Sequence, residues 1–165
     1  MITIDEKDYR IVIKKPVLEE EFELLSSGYG TTIHDKDNTK FVILINDNEP
    51  LTLLHELLHT AIRVEPFMKQ YYEDMLLFNS DMLDTELDRF KQNLPEDSVY
   101  KNYHDEDIVE EMIVETITKA DEETCEWLID ESPLLQLISI EDIDSLIADD
   151  EMHVLEYNKR WFYDC

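Results

Sequence analysis

The chain has 165 residues and a formal net charge of −27 at pH 7, because 41 acidic residues outnumber 14 lysines and arginines. This length is typical of one globular domain, and a hydrophobic fraction of 43% excludes a disordered polypeptide. The excess of acid argues against direct nucleic-acid binding through a basic surface. No apolar run is long enough to span a membrane, and the first residues lack the layout of a signal peptide, so we expect no membrane association.

The domain organisation is expected to be simple, because the sequence contains no internal repeat and no low-complexity linker. We expect a single domain over residues 1–165, with a core over about 1–120 and an acidic helical extension over 121–165. Two cysteines, Cys125 and Cys165, are too few for a disulfide framework, which indicates a reducing compartment and a cytoplasmic protein.

The first third of the chain carries strand patterns. Alternating apolar and polar residues over 2–13 predict either a strand pair or a single long strand, and helical spacing follows over 17–25. A turn-rich segment between residues 29–34 and 40–45 predicts a hairpin. Its second strand is an unbroken apolar run, which is typical of a strand buried on both faces: Phe41, Val42, Ile43, Leu44 and Ile45.

Helical spacing dominates the rest of the chain. It predicts helices over 50–64, 67–78, 81–92 and 105–119, and the first is apolar nearly all round, as in a core helix. Apolar runs after residue 120 predict more helices packed on the body, and the final aromatic residues are expected to dock there. These segments are 134–138, 143–147, Trp161, Phe162 and Tyr163. The predicted class is α+β, mostly helical, with a small N-terminal sheet packed on the helix over 50–64.

That core helix contains the pattern His-Glu-x-x-His, as His55, Glu56 and His59. Residues four apart lie on one helix face, so the two imidazoles can bind one metal ion. Glu56 would then stand beside the metal, where a carboxylate can accept a proton from water. The alternative is a buried helix with two histidines at this spacing by accident. We favour the metal site because the motif lies in the helical context it requires and because buried polar groups need partners.

A catalytic zinc ion usually has three protein ligands, so one remains to be found. The candidates are histidines and acids elsewhere in the chain: His34, His104, His153 and the acidic residues between 105 and 115. Glu111 and Glu115 share one face of the helix over 105–119, so the first can bind the metal and the second can accept the ring N–H of a ligating histidine. We predict Glu111 as the ligand, with Glu110 as the alternative.

The segment Leu53–Ala61 and the pair Glu111 and Glu115 resemble the zinc-binding segments of gluzincin metallopeptidases. The likeness is closest to small intracellular and phage-type members such as the ImmA/IrrE-like group, and it covers roughly residues 29–120. The resemblance implies a Zn²⁺ site made of three residues: His55, His59 and Glu111. It also implies that the strand over 41–45 lies beside the cleft and pairs with an extended protein or peptide substrate.

The activity that the resemblance implies is hydrolysis of peptide bonds in an intracellular protein, in the host cytosol if a phage encodes the chain. Zinc lowers the pKa of bound water to about 7. Glu56 would accept the proton as general base and pass it to the leaving amine as general acid. Three residues remain candidates for a hydrogen bond to the reaction intermediate: His104, Tyr100 and Tyr103.

The charge supports a second class of function. Between Ala120 and Asn158 there is no lysine or arginine, and such an acidic protein can imitate the phosphates of DNA toward a DNA-binding protein. In that case the metal site would be structural or inactive, and the chain would act against a host enzyme. A combination is also open, in which an acidic surface selects a basic substrate for a metallopeptidase core.

Overall fold

The computed structural model describes residues 1–25, 28–47, 49–98, 101 and 103–139. Several sequence predictions lie outside these residues: the helix over 143–147, the docking of the C-terminal aromatic residues, His153 as a ligand and Tyr100 as a donor. Within the described residues, no helix is long and apolar enough to cross a membrane.

Four strands form one mixed sheet: β1 Ile2–Asp5, β2 Arg10–Lys14, β3 Gly30–His34 and β4 Lys40–Ile45. The order across the sheet is β1-β2-β4-β3. The pairs β1 with β2 and β3 with β4 are antiparallel, whereas β2 and β4 are parallel. The segment over 2–13 is therefore a strand pair, and the predicted hairpin of β3 and β4 is confirmed.

Six α-helices and one 3-10 helix lie in the described part of the chain: α1 Glu19–Leu25, α2 Pro50–Val64, α3 Pro66–Phe78, α4 Ser80–Gln92, α5 Asp105–Thr118, α6 Glu122–Glu131 and the 3-10 helix Leu135–Ser139. The predicted bounds of α2 to α5 agree with these to within one residue. Glu65 is extended and breaks the helical path, and Pro66 begins α3, since a proline suits the first turn of a helix. The class α+β is confirmed.

The sheet has a hydrophobic cluster on each face, because successive strand residues point to opposite sides. Ile11, Phe41 and Ile43 belong to the larger cluster, which includes the buried face of α2. Val12 and Val42 belong to the smaller cluster on the other face. The central strand β4 is therefore buried on both faces, as its unbroken apolar sequence predicts.

The core extends past residue 120. Three leucines of α6 and the segment after it belong to the same cluster as α2: Leu128, Leu134 and Leu135. Ser132 is also buried and donates its hydroxyl to the buried carboxylate of Glu65, at the junction of α2 and α3. Part of the predicted acidic extension over 121–165 therefore contributes side chains to the hydrophobic core, through the buried face of α6 and the residues that follow it.

A buried ion pair links the sheet to α1. Lys14 and Glu21 are both fully buried, and the ammonium group donates a hydrogen bond to the carboxylate. Glu21 also accepts the backbone N–H groups of Val17 and Leu18, at 3.0 and 2.8 Å. These bonds replace the water that the carboxylate loses on burial, so the pair depends on all of its partners.

Lys14→Met is expected to lower the free energy of unfolding by about 3 kcal/mol, because it leaves the buried Glu21 carboxylate without its counter-ion. Urea denaturation at pH 7 measures the loss. Lys91→Met is the matched control, since Lys91 pairs with Asp105 in solvent and should cost under about 1 kcal/mol. Equal losses in the two variants would contradict the importance assigned to the buried pair.

Candidate metal centre

One face of α2 lines a cleft of about 760 Å³ between α2, β3 and α5. Six residues of α2 line the cleft: Leu51, Thr52, His55, Glu56, His59 and Arg63. The opposite side of α2 packs into the core, with Leu57, Leu58 and Ala61 fully buried. The helix is therefore held rigidly while its two histidines are presented to the cleft.

The two histidines converge on one carboxylate of α5. The Nε2 atoms of His55 and His59 lie 3.3 Å apart. Glu111 places Oε2 3.2 Å from His55 Nε2 and Oε1 2.8 Å from His59 Nε2. Bonds of about 2.0–2.1 Å in a tetrahedral zinc site separate two ligand atoms by about 3.3–3.4 Å. The spacing and the donor set of two imidazoles and one carboxylate therefore fit a divalent transition-metal ion.

The second nitrogen of each imidazole faces another carboxylate of α5. His55 Nδ1 lies 3.0 Å from Glu115 Oε1, and His59 Nδ1 lies 3.3 Å from Glu110 Oε2. Each Nδ1–H can donate to its carboxylate, which leaves both Nε2 lone pairs directed at the shared position. The structure thus places Glu111 and Glu115 where the sequence predicts them. Glu110, the alternative ligand, contacts the outer nitrogen instead.

Arg63, which is not among the residues predicted for the site from the sequence, holds Glu110 in this position. Its guanidinium donates to Glu110 Oε2 at 2.8 Å and to the backbone carbonyl of His59 at 2.6 Å. The available signal was its spacing, because Arg63 follows His59 by four residues and so lies on the same helix face. The cation keeps the carboxylate ionised and oriented toward the imidazole.

Glu56 lies beside this cluster with only 6% of its surface exposed. The hydroxyl of Thr32, on β3, donates to Glu56 Oε2 at 2.6 Å. Gly30 on the same strand allows the close approach, since a Cβ there would lie 3.0 Å from Glu56 Cγ and 2.9 Å from Thr52 Cγ2. Burial raises the pKa of Glu56, while His59 and Thr32 oppose the shift. The position of the carboxylate therefore depends on β3 as well as α2.

Charge is distributed unevenly over the metal-free cluster. Burial lowers the pKa of His59, but hydrogen bonds to Glu110 and Glu111 outweigh it and raise this pKa to about 10. Burial raises the pKa of Glu111, but its bonds to His55 and His59 lower it well below the usual range. These shifts favour a protonated His59 between the carboxylates, and a metal ion would have to displace that proton to bind Nε2.

The prediction that residues 41–45 pair with a substrate is wrong. These residues lie in β4, which is hydrogen-bonded to β2 on one edge and to β3 on the other. An apolar strand buried on both faces belongs at the centre of a sheet, where no edge is free. The strand beside the cleft is β3, and among the described residues its other edge pairs with no strand.

The two other histidine candidates within the described residues, His104 and His34, are not in the cluster. His104 is exposed at the N-cap of α5 and does not line the cleft, so its predicted role as a catalytic donor is corrected. Its neighbour Tyr103 does line the cleft. Burial raises the pKa of Tyr103, and the charges of Glu111 and Asp107 add to the shift. His34 lines the cleft but is not part of the group around His59.

No family model, no curated protein and no solved structure matches this chain. The likeness to gluzincins therefore depends on two sequence motifs. The support for a function comes from the arrangement of Glu56 with His55, His59 and Glu111.

Proposed function

We propose that the chain is a zinc-dependent metallopeptidase that hydrolyses peptide bonds of an intracellular protein. The observation that carries the proposal is the buried Glu56 carboxylate beside His55, His59 and Glu111 in an open cleft. A purely structural metal site needs neither a proton acceptor nor access from solvent. The small number of cysteines supports a cytoplasmic location.

The chemistry follows from these side chains. When bound, zinc polarises a substrate carbonyl and makes water acidic enough to lose a proton near neutral pH. Glu56 accepts that proton and later delivers it to the leaving amine. Its pKa, raised by burial, makes the protonated state accessible between these steps. The Tyr103 hydroxyl, on the cleft wall, is the proposed donor to the developing oxyanion.

The substrate would bind as an added strand. The unpaired edge of β3 offers backbone donors and acceptors to an extended peptide, next to Glu56. Extended binding places consecutive peptide bonds along the cleft, so one of them can reach the metal centre. This assignment replaces the one made from the sequence, in which β4 had that role.

The test is zinc content and cleavage of an unfolded protein such as casein. The full-length chain should bind about one zinc per molecule, lose cleavage with a chelator and recover it with zinc. His59→Ala should lose both zinc and cleavage. His104→Ala, at an exposed histidine outside the cleft, should keep both. A chain that takes up no metal, or that cleaves equally well after chelation, would contradict the proposal.

Thr32→Val is expected to lower kcat by about tenfold and to leave zinc affinity unchanged, because a hydrogen bond to a charged group contributes about 1.5 kcal/mol. The substitution preserves shape but removes the donor to Glu56 Oε2. Steady-state kinetics and zinc titration measure the two quantities. Thr85→Val is the matched control, since its exposed hydroxyl donates to the backbone of Asp81 on α4 outside the cleft, and it should change kcat little. An unchanged kcat in Thr32→Val would show that Glu56 does not need this bond.

The alternative function, an acidic protein that imitates DNA, stays a prediction. It depends on the net charge of −27 and on no particular contact among the described residues. A partner captured through charge imitation should dissociate as the salt concentration rises, because screening weakens exposed charges.

A further inference from the structure

Large apolar side chains are exposed at one end of the cleft. Leu24 at the end of α1, Tyr29 before β3 and Leu51 in the first turn of α2 are 44%, 69% and 59% exposed, and all three line the cleft. These three residues are called the apolar end. They come from three separate parts of the chain, and large exposed apolar side chains that line one cleft are typical of a binding site.

The wall opposite β3 is acidic. Asp107, Glu111 and Glu115 of α5 face the cleft. Among the described residues that line the cleft, Arg63 is the only arginine, and its charge is already paired with Glu110. Glu115 is exposed but pairs with Lys119 and contacts His55, whereas the exposed Asp107 carboxylate acts directly on a segment that enters the cleft. A cationic segment complements this wall, whereas an acidic one would be repelled.

The distances along α2 relate the apolar end to the metal centre. Leu51 precedes His55 by one turn, or about 6 Å along the helix axis. An extended peptide advances about 3.3 Å per residue. In a bound peptide, the residue whose side chain contacts the apolar end therefore lies about two positions from the residue at the metal centre.

We propose that the cleft recognises an extended cationic polypeptide segment, with a large apolar side chain in contact with the apolar end and a lysine or arginine facing Asp107. This inference rests on the proposed function, because it takes the bond to be cleaved as lying at His55, His59 and Glu111. It adds the class of substrate, which neither the motif nor the metal site specifies.

The experiment measures binding to the zinc-loaded Glu56→Gln protein, in which turnover is removed. Three short fluorescent peptides are compared by anisotropy: one with alternating leucine and lysine, one with glutamate for lysine and one with serine for leucine. We expect the first to bind at least about tenfold more tightly than either of the others. Raising the salt concentration should weaken the binding of the first peptide, because salt screens its lysines. The part of the affinity that its leucines contribute should remain.

Variants assign the two preferences to their residues. In the same background, Asp107→Asn should reduce the preference for lysine over glutamate, and Tyr29→Ser with Leu51→Ser should reduce the preference for leucine over serine, by about threefold to tenfold each. Matched controls lie on α4 and α3, outside the cleft. Asp81→Asn removes an exposed acid and Phe78→Ser an exposed aromatic side chain, and neither should change binding.

The outcomes separate the two proposals. If the wild-type chain cleaves unfolded protein but the three peptides bind equally, the inference is overturned and the metallopeptidase assignment stands. If the leucine and lysine peptide is preferred but nothing is cleaved, the recognition is supported and the enzymatic assignment fails. If Tyr29→Ser with Leu51→Ser converts a dimer into a monomer in size-exclusion chromatography, a second copy covers the apolar end and the inference is overturned.

Discussion

Replacing Glu56 by glutamine is expected to lower kcat by about a thousandfold while zinc affinity changes by less than about threefold. Glutamine has the same size and can still accept the hydrogen bond from Thr32 through its amide oxygen, so the packing around β3 is preserved. It cannot accept a proton from water. Zinc titration and steady-state cleavage of one peptide measure the two effects separately.

The matched control is another buried glutamate that lies outside the cleft. Glu65 is buried and accepts a hydrogen bond from Ser132 at the junction of α2 and α3. Glu65→Gln should leave kcat unchanged, because its contacts do not reach the metal centre. If both variants lost activity equally, a general loss of structure would explain the result. If Glu56→Gln kept full activity, another group would have to be the base.

Zinc affinity is expected to rise about tenfold per pH unit, or about a thousandfold between pH 6 and 9, through the proton on His59 alone. The pKa of this imidazole is about 10 in the metal-free protein, against about 6.5 for an unperturbed histidine. Below this pKa the ring is mostly protonated, so the fraction of His59 in the neutral, metal-binding form falls tenfold for each unit by which the pH decreases. Competition titrations with a zinc chelator of known pH dependence measure the slope.

The same shift predicts how the metal-free protein responds to pH. A pKa raised on folding stabilises the native state fully below about 6.5, and this contribution disappears as the pH rises toward 10. Glu110→Gln removes one of the three carboxylates that raise the pKa of His59, so the zinc affinity of this variant should level off at a lower pH. A zinc affinity independent of pH would contradict an imidazolium in the metal-free site.

The local patterns of the sequence were sufficient for most of the elements. The helix over 50–64, its start at Pro50 and the helix that begins at Asp105 follow from spacing and from proline chemistry, which act within a few residues. The motif of His55 and His59 also predicts a shared helix face without any tertiary information. The choice of Glu111 over Glu110 also follows from local spacing, because Glu111 and Glu115 are four residues apart and so share one helix face.

Only the tertiary structure decided which strand borders the cleft and which groups support the site. An apolar strand such as 41–45 is recognisably buried, but its neighbours in the sheet depend on pairing between distant segments, here β2 with β4. Thr32 reaches Glu56 across 24 positions, and no local pattern marks such a contact. The acidic residues illustrate the same limit. The spacing of Glu111 and Glu115 predicts their roles, but the pairing of Glu110 with His59 Nδ1 and Arg63 is decided only where α5 packs against α2.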